Sequence, residues 1–316
     1  MTHPFRFGVQ LSAMPGDQFA DRIRTIESLG YSTVFWPDHW GAQYEPIAAL
    51  AAAAALTTKL KVGSLVYGID YRHPIVLAKA AATIQLLSNG RHEFGIGAGW
   101  MRTDYDQAGL AYDKPSVRIE RLDEALRLIR SMWTEPKTTL AGRHYRVTDA
   151  PRAVEPPPAR PPAILVGAGG RKALTVAGRH ADIVGINPTI PEGRVLPTTV
   201  HDLAPDKVRE KIGWVREAAE AAGRDFAAIE LNSLVFVTAV MDDPAPIRAA
   251  VAKQTGMSVA EVAECAGFLT GSATEICDRL AKRREETGIS YVVIQGGDPA
   301  TIERFAEGVV APLSGR

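Results

Sequence analysis

The chain has 316 residues, 46% of them apolar and 23% charged, a composition suited to a globular protein with a sizeable core. Its 36 Lys+Arg balance 36 Asp+Glu, so no basic field points to nucleic acid or an anionic membrane. Two cysteines, Cys265 and Cys277, are too few for a disulfide framework, and no nearby Cys/His cluster suggests zinc. The opening MTHPFRFGVQ has no basic-then-apolar leader, and Ile47–Leu56 is too short to cross a bilayer. A cytoplasmic protein with a small-molecule partner is expected.

Phe5, Phe7, Val9 and Leu11 alternate with Arg6, Gly8 and Gln10, which predicts a first strand. Phe19, Ile23 and Ile26 then share one helical face, with Gly30 as the stop. Thr33–Trp36 reads as the second strand, Pro46–Thr57 as a helix, and Leu60–Val66 as the third strand. A helix opened by Pro74 ends at Asn89-Gly90, and His92–Gly97 is the fourth strand. Leu122, Ala125, Ile129 and Met132 mark a long amphipathic helix.

A break follows, with a small hairpin over Thr138–Val147 and a proline-rich stretch over Glu155–Pro162. It is either a domain linker or an excursion between the fourth and fifth strands of one barrel. Alternation then resumes. Strands are predicted at Ala163–Val166, Asp182–Ile186, Ile229–Val240 and Ile289–Ile294, with helices from Gly170, from Asp206 and over Ser272–Thr287. Eight strands, most followed by a helix, favour one (β/α)8 TIM barrel over residues 1–316 rather than an open doubly wound sheet.

In such barrels the loops at the strand C-termini build the site. The second strand ends in Trp36-Pro37-Asp38-His39-Trp40, and the third in Leu65-Val66-Tyr67-Gly68, with Arg72-His73-Pro74 beyond. The fourth ends in Gly97-Ala98-Gly99-Trp100, where absent side chains allow a flat ligand to lie on the backbone. The fifth ends in Gly167-Ala168-Gly169-Gly170-Arg171 and runs directly into a helix. A helix N-terminus with an adjacent arginine can hold an anion, although a plain strand-to-helix turn fits that sequence equally well. The stretch 187–204, rich in proline and without a clear period, is expected to act as a lid over the substrate side.

Asp38-His39, Arg72-His73-Pro74, the segment LSNGRHEFGIGAGW from Leu87 and the Gly167–Arg171 loop occur in that order. As an ordered set they resemble the bacterial luciferase-like superfamily, and within it the coenzyme F420-dependent oxidoreductases. The resemblance implies a barrel with inserted loops and a deazaflavin or flavin across the strand C-termini, its phosphate over Gly167–Arg171. It further implies a non-proline cis peptide at Leu65-Val66, bulging toward the ring system, and a homodimer. Cofactor contacts then fall to Asp38, His39, Leu65, Val66, Tyr67, Gly97, Ala98, Gly99, Trp100, Gly167, Ala168, Gly169, Gly170 and Arg171.

His39 is the leading catalytic candidate, since imidazole relays protons near neutral pH, and Asp38 either orients it or bonds the cofactor. Sugar-phosphate-oxidising relatives have a carboxylate proton donor where Trp100 stands, so Tyr67, Asp70, Asp104 and Tyr105 are the nearby replacements to consider. The function implied is hydride transfer between C5 of coenzyme F420 and a small organic substrate, with reduction of an activated C=C, C=N or C=O favoured. An FMN-dependent monooxygenase is the alternative, and a non-catalytic flavin-binding protein a third.

Overall fold

The computed structural model describes residues 3–316. Eight parallel strands form the barrel: β1 (Arg6–Gln10), β2 (Thr33–Trp36), β3 (Lys61–Ser64), β4 (His92–Gly97), β5 (Ala163–Ala168), β6 (Ile183–Ile186), β7 (Glu230–Val235) and β8 (Ile289–Gln295). Each pairs with its sequence neighbours, and β8 returns to β1 with Phe7 opposite Val292, so the sheet closes. The outer ring includes α1 (Phe19–Ser28), α2 (Pro46–Leu56), α3 (Pro74–Leu87), α4 (Pro115–Thr134), α5 (Arg171–His180), α6 (Pro205–Ala221), α7 (Ala273–Thr287) and α8 (Pro299–Phe305).

Strand periodicity divides the core. Outward residues such as Val9, Val34, Ile96, Val166 and Ile294 pack on the helices, while Phe35, Leu165, Tyr291 and Val293 fill the interior. Phe35 needs glycine around it, because a Cβ on Gly63 would lie 2.6 Å from its ring and one on Gly8 3.0 Å. The N-terminal end of the barrel is filled by charge. Arg6 bridges Glu93 and Glu230, each at 2.5 Å, Lys61 Nζ lies 3.1 Å from Glu93, and Tyr291 donates to Glu93 at 2.8 Å. Burial pushes the Glu93 carboxyl up, but Arg6 and Lys61 beside it and the bonds from Arg6 and Tyr291 hold it down at about 2.

Several expected boundaries shift. The strand anticipated over Leu60–Val66 leaves the ladder after Ser64; the Leu65-Val66 peptide is cis, and the chain rejoins beside β4 at Tyr67–Gly68. The strand anticipated over Ile229–Val240 divides at Phe236. Val237–Val240 leaves the barrel to pair with Phe268–Gly271, an exchange invisible in the apolar run Leu234–Val237. The hairpin (Lys137–Ala141 with Arg146–Pro151) and the proline-rich stretch form an excursion, since β4 and β5 pair directly. Helices Arg102–Ala108, Ala245–Thr255 and Val259–Glu264 were not anticipated. The last has a legible start, as Ser258 and Glu261 form a reciprocal capping box. No described helix is long and apolar enough to cross a membrane.

Candidate functional site

The C-terminal ends of the strands surround a cavity of about 1090 Å³. Every residue expected to touch a cofactor lines it, from Asp38 and His39 through Leu65–Tyr67 and Gly97–Trp100 to Gly167–Arg171. The Leu65-Val66 turn projects from one wall, with the Leu65 carbonyl held by Gln10 Nε2 at 2.7 Å. Glycine makes room for it. A Cβ on Gly97 would sit 2.9 Å from a Val66 methyl, one on Gly167 3.2 Å, and one on Gly95 would overlap the Ser64 carbonyl. The result is a narrow, glycine-walled slot beside an apolar ridge.

Gly170 is the N-cap of α5, extended at φ −86° and ψ 156°, and offers no side-chain cap. The N–H groups of Arg171, Lys172 and Ala173 therefore have no intrahelical partner, and all three residues line the cavity. Free donors on a helix N-terminus suit a phosphate. The Arg171 side chain departs from the expectation: it is two-thirds exposed and turned onto Glu217 at 3.3 Å. Behind the loop lies Lys211 of α6, whose buried ammonium donates to the Gly169 carbonyl at 2.6 Å and the Asn187 carbonyl at 3.1 Å, and meets Asp202 at 2.7 Å. Sequence reading missed it, because a lysine on an amphipathic helix looks like any solvated one.

At the other side, His39 Nδ1–H donates to Asp104 Oδ2 at 2.6 Å, and the Tyr71 hydroxyl donates to the same oxygen at 2.9 Å. Asp104 is buried on the short helix after the glycine loop. With Nδ1 engaged by an acceptor-only carboxylate, the lone pair lies on Nε2. Trp100 sets its ring edge-on to the imidazole, 5.6 Å between centroids.

The orienting role considered for Asp38 is thus corrected. Its buried carboxylate accepts from the Gly68 N–H at 3.0 Å and from Arg72 at 2.7 Å, tying the loop after β2 to the loop after β3. Tyr67 is equally unsuited to give a proton, since burial drives its phenol well above the ordinary value while the ring packs on Phe94. Asp70 and Tyr105 bond each other at 2.8 Å, Asp70 also pairs with Arg121, and neither lines the cavity. Arg118, another residue missed, is buried on α4 and donates to the Gly99 carbonyl and, at 3.1 Å, to that of Asp113. The segment 187–204 roofs the cavity with Ile190, Val195 and Leu196, and is fastened where Arg102 N–H donates to the Gly193 carbonyl at 2.9 Å. Among the described residues no cluster of His, Cys, Asp and Glu is arranged to hold a metal.

A parallel (β/α)8 barrel with a glycine-walled cavity and a helix start without a side-chain cap at its C-terminal face has the architecture of a TIM-barrel enzyme scaffold. Residues 1–290 match the luciferase-like monooxygenase family, and the chain belongs to it. It is 34% identical over 189 residues to the F420-dependent glucose-6-phosphate dehydrogenase of Nakamurella multipartita, covering 57% of this chain and 55% of that one. It is 30% identical over 242 residues to the F420-dependent hydroxymycolic acid dehydrogenase of Mycobacterium tuberculosis, covering 74% and 62%. The chain thus aligns with little more than half the length of these curated relatives. The fold is shared with the coenzyme F420-dependent tetrahydromethanopterin reductase of Methanopyrus kandleri (TM-score 0.77, 19% identity, 99% and 100% covered). It is also shared with an F420-dependent secondary alcohol dehydrogenase in complex with an F420-acetone adduct (TM-score 0.79, 19% identity, 98% and 99% covered).

Proposed function

We propose that this chain is a coenzyme F420-dependent oxidoreductase acting on a small organic substrate. The observation that carries the reading is one cavity joining the partner-free N–H groups of α5 to the His39–Asp104 pair across a glycine-walled slot. The curated relatives, both named F420-dependent dehydrogenases, support it. The residues fit the cofactor: the Gly167–Gly170 loop and the α5 N-terminus would hold its phosphate, and Leu65-Val66 with Gly97–Gly99 would flank its ring. When bound, the deazaflavin supplies two-electron chemistry by exchanging a hydride at C5.

The protein's own contribution is positioning and proton handling. Asp104 fixes the tautomer of His39, and Nε2 holds or moves the proton at the substrate oxygen or nitrogen. Trp100 and the apolar residues of the roof exclude water around that step. Reduction of an activated C=C, C=N or C=O is the favoured direction. A homodimer located in the cytoplasm belongs to the same proposal. Anaerobic turnover of reduced F420 with a panel of carbonyl and imine acceptors tests the reading. Turnover only with reduced FMN and dioxygen would replace it with the monooxygenase alternative.

A further inference from the structure

We infer that the substrate is uncharged and largely apolar, carrying one carbonyl or secondary alcohol, and that phosphorylated sugars are excluded. The inference rests on the cofactor reading above. The cavity has two chemically distinct walls. Its charged members, Asp38, Arg118, Arg171 and Lys172, and its one histidine, His39, all come from the first 172 residues. From residue 187 onward, the described chain contributes no charged side chain to the lining. Ile190, Leu196 and Val200 come from the roof, Phe236 precedes and Phe268 opens the two paired strands outside the barrel, and Val251 comes from the helix between them. The polar groups interleaved there, such as Gln254 and Thr255, are neutral.

Charges do occur in this part of the chain, but they are engaged elsewhere. Arg194 pairs with Glu192 on the exposed face, Asp202 is taken by Lys211, and Arg248 by Glu275. A phosphate dianion against this wall would shed water with no cation to replace it. Arg118 is already committed to two backbone carbonyls, while Arg171 and Lys172 stand at the helix start assigned to the cofactor phosphate. An aliphatic or alicyclic body, by contrast, gains from burial there. Near His39 the neighbour is the Trp100 indole, so the polar end of the substrate has one proton-handling partner. In the oxidative direction the carbinol C–H bond breaks and its hydrogen leaves with the electron pair for C5 of the oxidised deazaflavin. The O–H proton goes to His39 Nε2, and reduction reverses both transfers.

The test uses methyl ketones from 2-butanone to 2-nonanone with reduced F420, and glucose 6-phosphate with oxidised F420. F420 affinity is read separately by fluorescence. The expected kcat/KM rises roughly fourfold per added methylene until the chamber is filled, with glucose 6-phosphate at background. Leu196→Arg, at a half-buried position of the roof, should lower kcat/KM for 2-nonanone about tenfold or more and leave the F420 Kd unchanged. Calorimetric titration of the cofactor-free protein with 2-nonanone and with glucose 6-phosphate reads the chamber without any hydride transfer. A flat chain-length profile, or glucose 6-phosphate bound or turned over better than 2-nonanone, overturns the inference while leaving F420 dependence standing. Ketone binding without F420 binding supports the chamber and overturns the cofactor reading instead.

Discussion

At the N-terminal end of the barrel Arg6, Lys61, Glu93, Glu230 and Tyr291 reach inward and satisfy one another, whereas at the C-terminal end glycines from β4, β5 and the loop after β5 let neighbouring loops close in around a cavity. The closed end spends these charges on internal pairs. The open end does the reverse, with helix donors lacking an intrahelical acceptor, a carboxylate aimed at one imidazole, and a cavity of about 1090 Å³ between them. Polar groups that face each other serve stability; those that face the cavity are where binding and chemistry arise.

Substitutions at the two ends should therefore separate cleanly into effects on turnover and effects on stability. The largest effect belongs to the open end. His39→Ala should lower hydride-transfer turnover about 100- to 10,000-fold while F420 affinity and Tm change little, as single-turnover kinetics and thermal melts will show. At the closed end, Glu93→Gln leaves Arg6 buried beside a neutral partner and should destabilise the fold by about 3–5 kcal/mol with F420 affinity unchanged. Urea unfolding alongside a cofactor titration distinguishes the two.

The closed end also predicts a pH dependence. Burial pushes His92 down to about 4, against the pull of its bond to the Val62 carbonyl. The unfolded chain, with an ordinary imidazole near 6.5, binds more protons than the folded one between these values. Stability is thus complete above about pH 6.5 and falls as the pH drops toward 4, by roughly 3 kcal/mol in all. Glu93, held at about 2, adds to the loss once the pH passes below the ordinary carboxylate range. Urea midpoints from pH 7.5 to 4.5 should show a shallower decline in His92→Gln; identical slopes would remove His92 from the account.

Smaller effects discriminate within the phosphate loop. A Cβ on Gly169 would overlap the Pro188 carbonyl, so Gly169→Val perturbs the protein itself, whereas a Cβ on Gly170 meets only a Thr189 methyl at 3.8 Å. Gly170→Val should weaken F420 binding roughly tenfold or more while lowering Tm by only about 2–4 °C. Arg171→Ala removes an exposed pair with Glu217 and should change affinity roughly threefold or less.

The barrel was legible because in-out alternation and helix stops such as Gly30 and Asn89-Gly90 repeat along the chain. So were the loops at the strand ends, since glycine clusters and Asp38-His39 fall where strand periodicity stops. What stayed hidden depends on contacts between distant segments. Asp104 reaches His39 across 65 positions, Lys211 reaches Gly169 across 42, and the departure of Val237–Val240 is decided by Phe268–Gly271. No local pattern encodes those pairings. Asp38 looked like the partner of His39 because it is adjacent, yet its carboxylate bonds Gly68 and Arg72 instead.

Titrating the purified protein with oxidised coenzyme F420, and in parallel with FMN, tests the central claim most directly. Saturable quenching of F420 fluorescence, weakened in Gly170→Val and preserved in Glu93→Gln, with FMN binding much more weakly, is the result predicted. Tight FMN binding with no F420 binding, or F420 binding insensitive to Gly170→Val, would contradict it.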